Sequence, residues 1–168
     1  MNLEDITGDA VISQVALPLQ VEKIKAVRSV ASLFGVPLVL NARTDIYLNR
    51  IGDPVTRYER TVERLQAYRR AGADCLFAPG TSDRATIANL VAAIAGPLNI
   101  LISPGCPSLK ELNSLGVARA STGSSAVRAT LGLFRRIGKE LLESGEYLRL
   151  FEGALSYAEL NQLLARRK

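Results

Sequence analysis

Short apolar runs alternate along this chain with longer stretches that carry apolar residues three and four positions apart. The strand-length runs are 2–4, 37–42, 74–79, 98–103 and 119–122. The helical stretches are 20–34, 55–71, 83–95, 108–115, 125–143 and 156–165. Val21, Ile24, Val27 and Ala31 fall on one helical face, as do Ile87, Leu90, Val91 and Ile94. Gly35, Gly72, Gly96 and Gly116 stand where a helix-terminating glycine belongs, and Thr81-Ser82-Asp83 and Pro107-Ser108 read as helix starts. Strand–helix alternation predicts a parallel sheet covered by helices. The runs are continuous rather than alternating, as expected of strands buried on both faces. No linker or low-complexity tract interrupts the pattern, so residues 1–168 read as a single α/β domain.

Polar or glycine-bearing tails close each run: Glu4-Asp5, Asn41 to Asp45, Pro79-Gly80, Ser103-Pro104-Gly105 and Ser121 to Ser125. In barrels and open α/β sheets the carboxyl ends of the strands carry the site. The most telling tail is Asn41-Ala42-Arg43-Thr44-Asp45. Arginine stays charged and offers a planar fork of donors that matches a carboxylate or phosphate. An acid pair, Glu4-Asp5, opens the chain with almost nothing before it, so the chain is expected to begin partway through its own fold. These tails together predict an anion-binding active site.

The chain has no histidine, which excludes His-based triads, His metal ligands and His acid–base catalysis. Its two cysteines, Cys75 and Cys106, form neither a metal pattern nor a disulfide framework, and a reducing cytoplasm is expected. No apolar run is long enough to cross a membrane, and the N-terminus has no secretory pattern. The net charge of +5 raises nucleic-acid binding as a reading. The cations, among them Lys25, Arg28, Arg64 and Arg69, are spread over several helices and interleaved with acids, which reads instead as a solvated basic surface without a nucleic-acid partner.

Five segments in order resemble the isocitrate lyase/phosphoenolpyruvate mutase superfamily. They are Asn2 to Asp5, Asn41 to Tyr47, Ala71 to Gly80, Pro97 to Leu101 with Pro104 to Ser108, and Leu115 to Ser121. The resemblance implies a (β/α)8 TIM barrel, of which this chain supplies the C-terminal portion, strands 4–8, with extra C-terminal helices. It further implies Mg²⁺ and a small 2-oxo or 2-hydroxy carboxylate, whose C–C or P–C bond is cleaved or formed through an enolate-type intermediate. Carried over by position, Arg43 matches the catalytic arginine that binds a substrate carboxylate, and Glu4 matches an acid near the metal, acting through water. Asp45 and Asn41 match supporting positions behind the site, and Asn99 and Ser121 match substrate-facing barrel ends.

Three departures qualify the resemblance. The first three barrel strands, with the principal metal-binding Asp, have no counterpart here. The Lys-Lys/Arg-Cys-Gly-His loop of the isocitrate and methylisocitrate lyases is missing, because Ile6 to Leu19 contains neither Cys nor His. Where the lyase branches carry a Glu near the sixth strand end, this chain has Pro79-Gly80. The resemblance is therefore to the short phosphonomutase-like branch, which includes the carboxyvinyl-carboxyphosphonate phosphorylmutases.

Alternatives remain open at several residues. Arg43 reads either as a substrate clamp or as an ion-pair partner of Asp45, and Glu4 as a metal-site acid or a fraying terminus. Ser121 to Ser125 reads as a phosphate cradle or a plain serine-rich cap. The whole chain reads as a lyase or mutase. The other reading is an inactive paralogue, a half-barrel that self-associates or pairs with another chain through its exposed edges. Homo-oligomerisation is expected through those edges or the C-terminal helices.

Overall fold

The computed structural model describes residues 1–8 and 14–165. The chain divides into two compact units, Met1–Gly123 and Ser124–Lys168. Of the basic residues read as surface, Arg166, Arg167 and Lys168 lie outside the described residues.

The first unit is a five-stranded parallel sheet: β1 (Asn2–Glu4), β2 (Asn41–Arg43), β3 (Cys75–Phe77), β4 (Leu98–Leu101) and β5 (Arg119–Ser121), in the order β1-β2-β3-β4-β5. Four helices connect them: α1 (Leu17–Leu33), α2 (Arg57–Arg70), α3 (Arg84–Ala93) and α4 (Leu109–Ser114). Each strand pairs only with its neighbours in sequence, and the connecting helices pack on one face. Leu40, Ala42, Leu76, Ala78, Leu98 and Ile100 share a buried cluster with Ile24, Leu65, Tyr68, Ile87, Leu90 and Leu112 of the helices. Sequential order with helices on one side is the winding of a barrel wall rather than of a doubly wound sheet. Each fully buried Leu or Ile in this layer contributes about 2 kcal/mol.

Side chains alternate along a strand, so the residues between these core positions face the other way. Register places Glu4, Arg43, Phe77, Asn99 and Arg119 in one row across the sheet on that second face. Asn2, Asn41 and Cys75 form a parallel row. This face is the one the polar strand tails reach.

The elements follow the hydrophobic pattern with shifts at their ends. The strand predicted at 37–42 pairs only from Asn41 onward, because β1 offers three residues and the preceding stretch is held by other groups. The Met1 ammonium donates to Val39 O, and Arg28 Nη1 donates to Leu38 O at 2.8 Å. Helix α1 starts three residues earlier than the periodicity suggests, with Pro18 in its first turn, where the missing N–H costs nothing. Asp83 and Ser108 cap α3 and α4 as the sequence indicates, Ser108 in a reciprocal capping box with Glu111. Gly72 and Gly116 adopt left-handed φ of 106° and 89° after their helices, but Gly96 does not, since α3 ends at Ala93 on an extended Ile94.

Two arginines read as surface cations are structural. Arg28 reaches from α1 to Gly72 O, Leu38 O and the Asp74 carboxylate. Arg64 lies on the inward stripe of α2 with Thr61, Leu65 and Tyr68. Spacing of three and four along α2 turns that one arginine out of the solvated face and into the interior.

The second unit consists of α5 (Ser125–Glu143), a short 3₁₀ turn at Leu148–Leu150 and α6 (Tyr157–Leu164). None of its described residues is buried, and Leu131, Phe134, Leu142, Phe151 and Tyr157 are all exposed. No helix among the described residues is long and apolar enough to cross a membrane.

Candidate active site

At the carboxyl ends of β1 and β2 the chain gathers three carboxylates and two guanidinium groups. Arg43 donates from Nε and Nη2 to Asp45 Oδ1, at 2.8 and 2.7 Å, and from Nη1 to Glu4 Oε1 at 2.7 Å. Its Cζ lies 5.7 Å from the centre of the Phe77 ring, a cation–π arrangement that fixes the guanidinium over the neighbouring strand. Among the described residues three of its five N–H groups are engaged, which leaves two for a ligand. The Arg43 side chain is 18% exposed, Asp45 is fully buried and Glu4 is 38% exposed. A charged fork partly open to solvent, braced from behind by a buried acid, is suited to hold a planar anion.

Asp45 turns back onto Arg43 because the chain leaves β2 into a tight loop, with Asn49 N bonded to Asp45 O and Ile51 N to Ile46 O. Burial pushes the Asp45 carboxyl above its ordinary value, against the opposing pull of the Arg43 hydrogen bonds and charge, and Asp5 and Glu4 push it further the same way. Asp45 Oδ2 is buried without a hydrogen-bond partner among the described residues. Gly80, with φ +86°, sits beneath this loop, and a Cβ there would lie 2.5 Å from Leu48 N and 2.6 Å from Leu48 Cα. The chain at Gly80 thus packs closely against the backbone of the loop after β2.

The other predicted residues divide into pairs. Asn41 Nδ2 donates to Asn2 Oδ1 at 2.7 Å, and Ser121 Oγ donates to Asn99 Oδ1 at 3.0 Å. Asn99 stands two strands from Arg43 in the same row, roughly 10 Å away at ordinary strand spacing. Asn41 Oδ1 and Asn99 Nδ2 are buried without partners. The structure joins Glu4, Arg43 and Asp45 directly and gives no contact between that group and the Asn99–Ser121 pair. Cys75 is buried on the site face and burial pushes its thiol up, away from reactivity. Cys106 Sγ lies 3.5 Å from Ser103 Oγ.

Asp5 is a buried site residue to which the sequence assigns no role. Its Oδ2 accepts from Arg64 Nε at 2.7 Å, Tyr68 Oη at 2.7 Å and Gln14 Nε2 at 3.1 Å. Its Oδ1 accepts from the Asp45 backbone N–H at 2.9 Å. The signal available in the sequence is the Thr61-Arg64-Leu65-Tyr68 stripe, which puts a cation on the buried face of α2 and so calls for a buried acid.

Among the described residues a divalent cation finds one available acid here. Both Asp5 oxygens are occupied, and Asp45 is enclosed and bound to Arg43. Glu4 is accessible, with only Oε1 engaged among the described residues. No group of three acidic, cysteine or histidine side chains among the described residues forms a metal cluster. Magnesium commonly takes one or two carboxylates and keeps several waters, so Glu4 fits it as a single, water-mediated contact.

Comparison with known proteins agrees with this architecture. The phosphoenolpyruvate phosphomutase family matches the chain over residues 1–142. An uncharacterized protein of Mycobacterium tuberculosis is 31% identical over 164 residues, covering 98% of this chain and 58% of its own length. A solved structure from Burkholderia cenocepacia, described as a candidate lyase/mutase, is 36% identical with a TM-score of 0.89, covering 99% of this chain and 59% of that one. Phosphonopyruvate hydrolase, solved with oxalate and Mg²⁺, shares the fold at 22% identity and a TM-score of 0.71, over 96% of this chain and 57% of that one. The chain thus spans about three-fifths of the length of these proteins. It is a mixed α/β protein whose parallel sheet matches the TIM-barrel-like fold of the superfamily, and it belongs to the phosphoenolpyruvate phosphomutase family of the phosphoenolpyruvate mutase/isocitrate lyase superfamily.

Proposed function

We propose that Arg43 is the carboxylate clamp of a Mg²⁺-dependent lyase or mutase that acts on the C–C or P–C bond of a small 2-oxo or 2-hydroxy carboxylate. The observation that carries this reading is the Arg43 guanidinium itself, braced by buried Asp45, partly exposed, and keeping two N–H groups unspent. Those two donors bind one carboxylate of the substrate. Asp45 keeps the fork in plane, and Phe77 covers one side of it. Glu4, bound to Arg43 through Oε1 alone among the described residues, would offer Oε2 to a water of the metal. When bound, Mg²⁺ supplies Lewis-acid stabilisation of the charge that develops beside the carboxylate. Oxalate mimics a planar enolate with its carboxylate, and the phosphonopyruvate hydrolase structure holds it together with Mg²⁺. Asn99 and Ser121 lie farther along the same sheet face, where a longer substrate would reach.

Only Glu4 among the described residues is available to the metal, so turnover by this chain alone is expected to be weak. The other reading, a half-barrel that associates with itself or another chain, is favoured by one observation: β1 and β5 each pair on one side only among the described residues. In that reading the chain itself is catalytically inactive. We place the protein in the cytoplasm, where α-oxycarboxylates are metabolised.

Calorimetric titration with oxalate tests the clamp. The wild-type chain should bind oxalate more tightly with Mg²⁺ than without it, and Arg43→Gln should weaken binding at least tenfold. Equal affinity of the two proteins would remove Arg43 from the site.

A further inference from the structure

Resting on the reading of Arg43 as a carboxylate clamp, we propose that Arg64 and Tyr68 of α2, acting through Asp5, are positioning residues that fix the Arg43 guanidinium. The path is continuous and short. Arg64 Nε donates to Asp5 Oδ2 at 2.7 Å and to Tyr68 Oη at 2.9 Å, and Tyr68 Oη donates to the same Asp5 oxygen at 2.7 Å. Arg64 Nη2 is itself tethered to Val15 O at 2.6 Å. One Asp5 oxygen is therefore anchored to α2. The other holds the Asp45 backbone N–H at 2.9 Å, and the Asp45 side chain takes both Nε and Nη2 of Arg43 on a single oxygen.

Each link removes a degree of freedom from the next. Asp5 follows Glu4 directly, so the same anchor sets the end of β1 that carries the second contact of Arg43. Without the Asp5 contact, Asp45, the second residue of the loop after β2, loses its tie to the end of β1, and its carboxylate loses the register that meets the guanidinium. An ion pair is a poor choice for filling this space. Arg64 is 7% exposed and Asp5 is fully buried, and apolar side chains of similar volume would pack at least as stably in such a place. What the charged cluster adds is direction: a carboxylate with one oxygen loaded by three donors presents its other oxygen in a single orientation.

The test reads Arg43 directly. In ¹⁵N-labelled protein, the Arg43 Nε–Hε resonance is identified by its loss in Arg43→Lys, and its exchange with water is measured under native conditions. Tyr68→Phe removes one hydroxyl and little volume. It should accelerate Arg43 Hε exchange at least tenfold, shift the resonance toward that of free arginine, and weaken oxalate binding several-fold. Leu90→Ala, on the buried face of α3 and with no side-chain hydrogen bond to Asp5, lowers stability yet should leave the Arg43 resonance in place. Arg64→Lys keeps the charge, loses the planar fork and repeats the test if Tyr68→Phe does not fold. An unchanged Arg43 resonance in a destabilised Tyr68→Phe or Arg64→Lys protein would show the cluster to be structural only and overturn the proposal. A wild-type chain that fails to bind oxalate would instead overturn the clamp reading, with the Arg43 resonance still reporting on the positioning.

Discussion

The Asp5 carboxylate accepts the backbone N–H of Asp45 at 2.9 Å, tying the end of β1 to the loop that follows β2 across forty residues of chain. Both residues are fully buried, and each also meets an arginine, Arg64 in one case and Arg43 in the other. Two ion pairs are thus stacked end to end, the inner one enclosed and the outer one opening to solvent. The inner pair sets where the outer one points, so the energetics of the first govern the chemistry of the second.

Breaking the inner pair should be costly. Arg64→Met leaves the Asp5 charge buried with fewer donors and is expected to destabilise the protein by about 3–5 kcal/mol. Tyr68→Phe removes one hydrogen bond to the same oxygen and should cost about 1–2 kcal/mol. In the double variant Asp5→Asn/Arg64→Met the loss should be well below the sum of the two single losses, because neither substitution then strands a charge. Urea unfolding of the four proteins measures the coupling. Additive losses would mean that the two groups do not share their burial.

Gly80 should tolerate no side chain. Its φ of +86° is strained for any residue with a Cβ, and that Cβ would meet the Leu48 backbone at 2.5 Å. Gly80→Ala therefore has to displace the loop that begins at Asp45. A cost of about 2–3 kcal/mol is expected, together with weaker oxalate binding at saturating Mg²⁺. Gly105→Ala provides the comparison, since it too has positive φ, +87°, but nothing lies within 4 Å of its Cβ. The smaller loss expected at Gly105, seen by thermal melts, isolates the contribution of the close approach.

These residues also mark what the sequence could and could not reveal. The strand and helix alternation was legible because apolar spacing alone distinguishes the two periods, and the five strands lie within the runs that spacing defines, apart from Arg43, one residue beyond its run. Arg43 and Glu4 stood out as candidates because charges at the ends of apolar runs have no packing explanation, and the structure brings the two together at 2.7 Å. Asp5 and Arg64 were not, because their meaning depends on a contact between positions fifty-nine apart. A basic helix such as Arg57 to Arg70 reads as solvated until its one inward arginine is matched with an acid on another element. The strand boundaries were overestimated where a partner strand is short. Pro37 to Leu40 are apolar enough for a strand, but β1 pairs only through Asn2 to Glu4.

The raised Asp45 carboxyl has a pH consequence of definite sign. Its folded-state value lies above its ordinary one, chiefly because burial disfavours the charge. The folded state therefore binds the Asp45 proton more readily than the unfolded chain does. Its contribution to stability is fully present below the ordinary carboxylate range and is lost as pH rises through the elevated folded value. Asp45→Asn should accordingly remove a falling component from the stability profile between that range and the elevated folded value. It should also loosen Arg43, since a neutral amide holds the guanidinium less strongly. Urea unfolding at several pH values, paired with oxalate titration at neutral pH, should show a flatter stability profile with weaker binding. A profile that falls as steeply as in the wild type would place the titrating group elsewhere.

The second unit has many exposed apolar residues, and this should show in solution as self-association. Along α5, Val127, Leu131, Phe134, Leu141 and Leu142 are all exposed, with Phe134 at 74% and Leu142 at 89%. Patches of this kind on soluble chains are usually covered by a partner. If the cover is a second copy, light scattering coupled to size exclusion should give a mass that rises with concentration above the 18.1 kDa of one chain. A Leu131→Glu/Phe134→Glu variant should shift the population to monomer, because each glutamate would have to be buried in the contact. The first unit gives the control: Arg43→Gln, at the ligand site, should leave the mass distribution unchanged. A monomer at all concentrations in the unmodified protein would show that these apolar residues do not mediate self-association. Association that survives the double substitution would assign it to the open strands β1 and β5 instead.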